Sequence, residues 1–136
     1  MKFMLIINTP RDGYTQYMSW PKEVLEANVA FMTGFSQKLR AAGELVSTQG
    51  LASPLQAKLV RAGKDGKPVT DGVFPESKEF LAGYWIVDVD SPERAYEIAA
   101  EASTAPGGTM TLADGTEARH LWIEVREIMS SHRDIQ

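Results

Sequence analysis

Apolar side chains fall on both alternating faces of the opening segment, Lys2 to Thr9. Phe3, Leu5 and Ile7 stand on one face, Met4 and Ile6 on the other. That pattern predicts a central strand covered on both sides, closed by Pro10, Asp12 and Gly13. After Pro21 the period changes. Val24, Leu25, Asn28, Met32, Phe35, Leu39 and Ala42 recur at helical spacing up to Gly43, predicting one amphipathic helix of about six turns. Glu44 to Gln49 reads as a second strand. Gln56 to Arg61 and Lys67 to Thr70 read as two short strands around Lys64-Asp65-Gly66, since an Asp-Gly step supplies the positive φ of a hairpin turn. Phe80 to Val89 is the strongest strand after the first. Ser91-Pro92-Glu93 predicts a helix start, with Ser91 as cap and Pro92 in the first position. Ala95, Ile98, Ala99 and Ala102 continue that helix until Pro106-Gly107-Gly108. Thr109 to Met110 and Arg119 to Ile128 flank a second Asp-Gly turn at Asp114-Gly115, and the latter segment is the expected closing strand.

The order of strand, helix, strand, hairpin, strand, helix, strand predicts an α+β domain. It suits a split βαβ arrangement, an antiparallel sheet with two helices on one face. Two helices leave the other face bare. Tyr84 and Ile86 alternate with Trp85, Val87 and Val89, and Trp122 and Ile128 alternate with Leu121, Ile123 and Val125. That second face is apolar enough to predict a homodimer through the sheets.

The chain has 136 residues, which suits one domain, expected over 1–128 with a polar tail at 129–136. Its formal net charge of −4, without a basic cluster, argues against nucleic acid or an anionic membrane surface as partner. Cysteine is absent, which removes disulfides, thiolate nucleophiles and zinc-thiolate sites. His120 and His132 have no zinc spacing, and no metal or other cofactor is expected. The opening apolar run is too short for a signal peptide and no segment approaches a membrane span, so the expected location is cytoplasmic.

The stretch Asp71-Gly72-Val73-Phe74-Pro75-Glu76-Ser77-Lys78-Glu79 concentrates a turn, an aromatic and four charged groups before a core strand. With Gly83-Tyr84, Asp88-Val89-Asp90 and the Lys2-Phe3-Met4-Leu5-Ile6 opening, it resembles the YCII-related family, specifically the branch named for its DGPF motif. The similarity runs along almost the whole chain. It implies a ferredoxin-like fold and a dimeric, barrel-like α/β assembly. Val73 and Pro75 depart from the motif, the stiffening proline having moved. The resemblance also implies a His in the first helix, paired with an Asp as an acid–base couple. No His lies there; Met32 stands about where it is expected.

The candidate chemistry therefore centres on Asp71, a carboxylate at a Gly turn. It serves either as a general base or ligand contact, or as a turn-holding acceptor of backbone N–H groups. Gly72 is a candidate ligand contact beside it, and Gly72→Val is expected to unfold or disorder the loop if Gly72 needs a positive φ. Phe74 and Tyr84 are candidate pocket walls or core residues. Glu76, Lys78 and Glu79 form a polar cradle or a solvated edge. His120 is a candidate substitute proton carrier or a surface histidine, while Trp85 and Trp122 stack on a ligand or anchor the core or dimer. Three functional classes follow. The chain is a small-molecule-binding homodimer with the Asp71 loop at its site; a cofactor-independent lyase or hydrolase with Asp71 as base; or an accessory dimer whose partner is another protein.

Overall fold

In a computed structural model, which describes residues 1–72 and 76–130, the hydrophobic alternation at the start forms β1 (Lys2–Thr9). A short helix, α1 (Gly13–Met18), and the long α2 (Lys22–Ala41) lead to β2 (Leu45–Gly50). A single 3-10 turn (Pro54–Gln56) precedes a hairpin of β3 (Leu59–Ala62) and β4 (Pro68–Asp71). Then come β5 (Phe80–Asp88), α3 (Pro92–Ala102), the small hairpin of β6 (Met110–Thr111) and β7 (Glu117–Ala118), and β8 (Ile123–Glu127).

Four strands form the main sheet in the order β2-β5-β1-β8, with every neighbouring pair antiparallel. The unit β1–α2–β2 thus straddles β5, while β5–α3–β8 straddles β1. These are two interleaved split βαβ units, consistent with a ferredoxin-like α+β fold. Phe3 and Leu5 on β1 and Trp85 and Val87 on β5 face Phe35 and Leu39 of α2. Ala95, Ile98, Ala99 and Ala102 complete the core from α3, their small side chains bringing that helix close to the sheet. The Phe35 ring meets Trp85 edge-on at 5.5 Å.

The expected punctuation is in place. Ser91 Oγ accepts the Arg94 amide at 3.3 Å and caps α3. Gly43, Gly66 and Gly115 take φ of 73°, 81° and 86°, ending α2 and turning the two hairpins. Glu44 and Arg94 then tie the start of β2 to α3 through two bonds of 2.8 Å. This bidentate pairing holds the Glu44 carboxyl below the usual carboxylate range and raises Arg94.

Two elements depart from the sequence-based expectation. Residues 13–18 form a helix although Gly13, Thr15 and the two tyrosines are poor helix formers. Tertiary contacts hold it. The Gln16 side-chain amide pairs with the backbone of Thr111 in both directions, at 2.9 and 2.8 Å. Gly13 lies so close to Thr9 that an added Cβ would come within 2.5 Å of its side chain. Second, the strand expected from Arg119 to Ile128 is shorter, forming only over β8 (Ile123–Glu127). Residues 117–118 pair with β6, whereas β8 pairs with β1 from Ile123 onward, so the chain bends between its two partners. A single straight strand cannot serve both ladders.

On the face away from α2 and α3, Met4 opposes Ile86 and Ile6 opposes Tyr84, bordered by Arg126 and Glu124 on β8. Trp122, just before β8, is 95% exposed. Among the described residues no helix is long and apolar enough to cross a membrane.

Candidate functional site

The bend ahead of the closing strand carries Arg119, His120 and Leu121 to the rim of a cavity of about 460 Å³. One wall is sheet: Ile7 and Thr9 of β1, Thr48 of β2, and Gly83 to Trp85 of β5. The facing wall is α2 with Asn28, Met32 and Ser36. α1 and the residues after it close one side with Tyr14, Tyr17 and Trp20, and the segment after α3 adds Ala105, Pro106 and Gly107. Leu51, Ala52 and Pro54 border the cavity beyond β2.

A short chain of hydrogen bonds fixes this wall. Tyr17 donates its hydroxyl to Asn28 Oδ1 at 3.2 Å, and Asn28 Nδ2 donates to the Pro106 carbonyl at 2.8 Å. Asn28 is 8% exposed, a buried amide in an otherwise apolar helix face. It is retained there because both of its polar atoms are occupied. Trp20 packs against Tyr17 with ring centroids 5.1 Å apart. Its indole is wedged over Gly107 and Gly108, where an added Cβ would come within 2.8 and 2.6 Å of the ring. Only glycine leaves room for Trp20 in this position. The Nε1 atoms of Trp20 and Trp85 are buried without a hydrogen-bond partner among the described residues. On β2, Thr48 Oγ1 donates to the Tyr84 carbonyl at 3.0 Å, fixing the edge of the sheet wall.

Of the residues singled out from sequence, Tyr84 and His120 border this cavity. Tyr84 is half-buried, and His120 is exposed in the bend before β8 rather than within the strand. Asp71 ends β4, exposed, and accepts its own neighbour's N–H, from Gly72, at 2.8 Å. That bond reaches only the next residue, whereas an Asx turn bonds two residues on, to Val73, which lies outside the described residues. Asp71, Gly72, Glu76 and Lys78 are not among the residues that line the cavity. Phe74 lies outside the described residues, as does His132. The condition on which Gly72→Val was expected to disorder the loop, a positive φ, is not met: the φ of Gly72 is not in that region, and among the described residues a Cβ there would meet nothing within 4 Å. The turns that need such backbone are made by Gly66 and Gly115 instead. Trp85 is 4% exposed and belongs to both the core and the cavity wall. Among the described residues no group of three His, Asp or Glu side chains is placed to hold a metal ion.

The model of the YCII-related domain matches residues 1–117, the span that carries three of the four main-sheet strands, both long helices and most of the cavity. The chain belongs to the YCII-related family. A relative, an uncharacterized protein of Rhizobium meliloti (strain 1021), is 30% identical over 91 residues, covering 67% of this chain and 73% of its own length. In this YCII-related chain the α2 positions that face the cavity are Asn28, Met32 and Ser36, so Met32 stands where a His is expected from the resemblance. Trp20, Asn28 and the Gly107-Gly108 pair are the site residues that sequence reasoning passed over. Asn28 had a signal: it is the one amide in the apolar stripe of α2. Trp20 had none, since the glycines that leave room for its indole, Gly107 and Gly108, lie far away in sequence.

Proposed function

We propose that this YCII-related protein binds a small molecule in the cavity between the sheet, α1 and α2. The observation that carries this reading is the cavity itself. Its volume of about 460 Å³ falls within the range of ligand sites, about 300–1,000 Å³. It is lined mainly by apolar and aromatic side chains, with a few polar groups set by the Tyr17–Asn28–Pro106 hydrogen bonds. A preformed wall of this kind lowers the ordering cost of binding. This reading puts the ligand in the cavity, which Tyr84 and His120 border, rather than at the Asp71 loop. A cofactor-independent lyase or hydrolase would draw on His120 at the rim as its proton carrier.

A thermal-shift screen of several hundred small metabolites tests this on three proteins: wild type, Met32→Trp and Asp71→Asn. Ligands that stabilise wild type and Asp71→Asn but not Met32→Trp, whose larger side chain fills the cavity, support the reading. Ligands lost in Asp71→Asn but kept in Met32→Trp would return the site to the loop.

A second copy of the chain is the proposed partner, joined through the sheet face that bears Met4, Ile6, Tyr84 and Ile86. Trp122, at 95% exposure, favours it, because so large an aromatic left in water is uncommon away from interfaces. Light scattering giving the 15.0 kDa monomer mass at micromolar concentration would overturn it.

A further inference from the structure

The cavity wall is charged differently from the rest of the molecule. The chain carries 18 Asp and Glu residues against 14 Lys and Arg, yet among the described residues no Asp or Glu lines the cavity. Arg119 is the sole described lining residue of fixed charge, and His120 follows it on the same rim. The described residues give Arg119 no ion pair with a carboxylate. Other arginines are engaged: Arg94 with Glu44 and Glu97, and Arg11 over the Phe80 ring at 5.2 Å. Asp12, beside the α1 wall, already accepts from Gln16 Nε2 at 3.0 Å.

A cation that no carboxylate among the described residues pairs with, at the mouth of an apolar cavity whose described lining has no acidic side chain, sets a chemical preference. A cationic ligand would meet repulsion at Arg119 and find no carboxylate to balance it. A carboxylate would gain charge-assisted hydrogen bonds from the guanidinium and a further donor in the imidazole, while its apolar body replaced water against Trp20, Trp85 and Met32. We infer that the cavity selects an amphipathic carboxylate, its acid group at Arg119 and His120 and its apolar body between Trp20, Trp85 and Met32. This rests on the reading of the cavity as a ligand site and adds the ligand's charge and polarity.

The test titrates decanoate and its neutral counterpart decanamide into the full-length, nitrogen-15-labelled protein, following the indole N–H resonances. Trp122→Phe identifies the third indole, leaving those of Trp20 and Trp85. In wild type, decanoate shifts the Trp20 and Trp85 signals and binds more tightly than decanamide. Arg119→Gln, at an exposed position where folding is not at stake, lowers decanoate affinity about tenfold, the loss expected for one charge-assisted contact. It changes decanamide affinity less than about twofold, and Arg119→Lys restores part of the loss for decanoate. Equal affinity for acid and amide, unchanged by Arg119→Gln, would overturn the charge preference and leave an apolar ligand site standing. If neither compound moved the Trp20 or Trp85 signal, the cavity reading would fall as well.

Discussion

The two regions of this molecule that compete for the functional role are built on opposite principles. The loop after β4 gathers charge in sequence: Asp71, Glu76, Lys78 and Glu79 lie within nine positions, and all four are exposed. The cavity gathers its residues from across the chain, joining Tyr17, Asn28 and Pro106 through two hydrogen bonds. Density of ionisable groups along a chain marks a surface as readily as a site. Convergence of separated residues on one enclosed space requires the fold, and such convergence is what binding a small molecule demands.

This contrast is breakable. The largest effect is expected at Gly108. Gly108→Val sets a side chain where Cβ alone reaches 2.6 Å from Trp20 Nε1, so the indole must leave its seat. A loss of about 3 kcal/mol is expected, read as a drop in the thermal midpoint together with a shift in tryptophan emission. Gly72→Val, where an added Cβ meets nothing within 4 Å among the described residues, is the matched control and should cost less than about 0.5 kcal/mol. Equal losses for the two glycines would erase the distinction between the regions.

Next in size is Asn28→Ala, which leaves the Pro106 carbonyl and the Tyr17 hydroxyl without their partner. About 2 kcal/mol is expected in denaturant unfolding, along with weaker ligand binding. A variant as stable as wild type would mean that the amide does not hold the wall.

The Glu44–Arg94 pair anchors the edge strand that carries Thr48 to the cavity. Because Arg94 holds Glu44 below its ordinary pKa of 4.5, the pair's contribution is present above that value. It is lost as pH falls through the lower, folded-state value. Arg94 is 36% exposed, so solvent screening limits the effect to about 1 kcal/mol at neutral pH. Glu44→Gln should lose that amount at pH 7 and converge with wild type in acid. A constant difference between the two across the acid range would contradict this origin.

The smallest effect is expected at Asp71→Asn. The amide oxygen still accepts the Gly72 N–H, so the melting temperature should stay within about 2 °C of wild type. A large drop would show that the charge itself organises the loop and would restore the Asp71 region as the more consequential of the two.

Local signals in the sequence were sufficient wherever the determinant was local. Ser91-Pro92 announced α3, Gly43 ended α2, and the Asp-Gly steps at 65–66 and 114–115 marked the hairpins, because caps and turns depend on neighbouring residues. The amphipathic stripe of α2 and the alternation in β1 and β5 identified most of the core, since burial follows from one period repeated along an element. The family signature was likewise readable from contiguous residues.

Tertiary structure alone decided the rest. Whether α1 forms depends on Gln16 reaching the backbone of Thr111 and on Gly13 packing against Thr9. Where the chain bends ahead of the last strand depends on β7 pairing with β6 and β8 with β1, and that bend is what brings Arg119 and His120 to the cavity. Trp20 becomes a wall only because Gly107 and Gly108, more than eighty positions away, leave space beneath it. Periodicity and turn chemistry act over a few residues, so the sequence determines elements and their inward faces. A cavity is the space those elements leave when packed, and its lining is settled only by their arrangement in three dimensions.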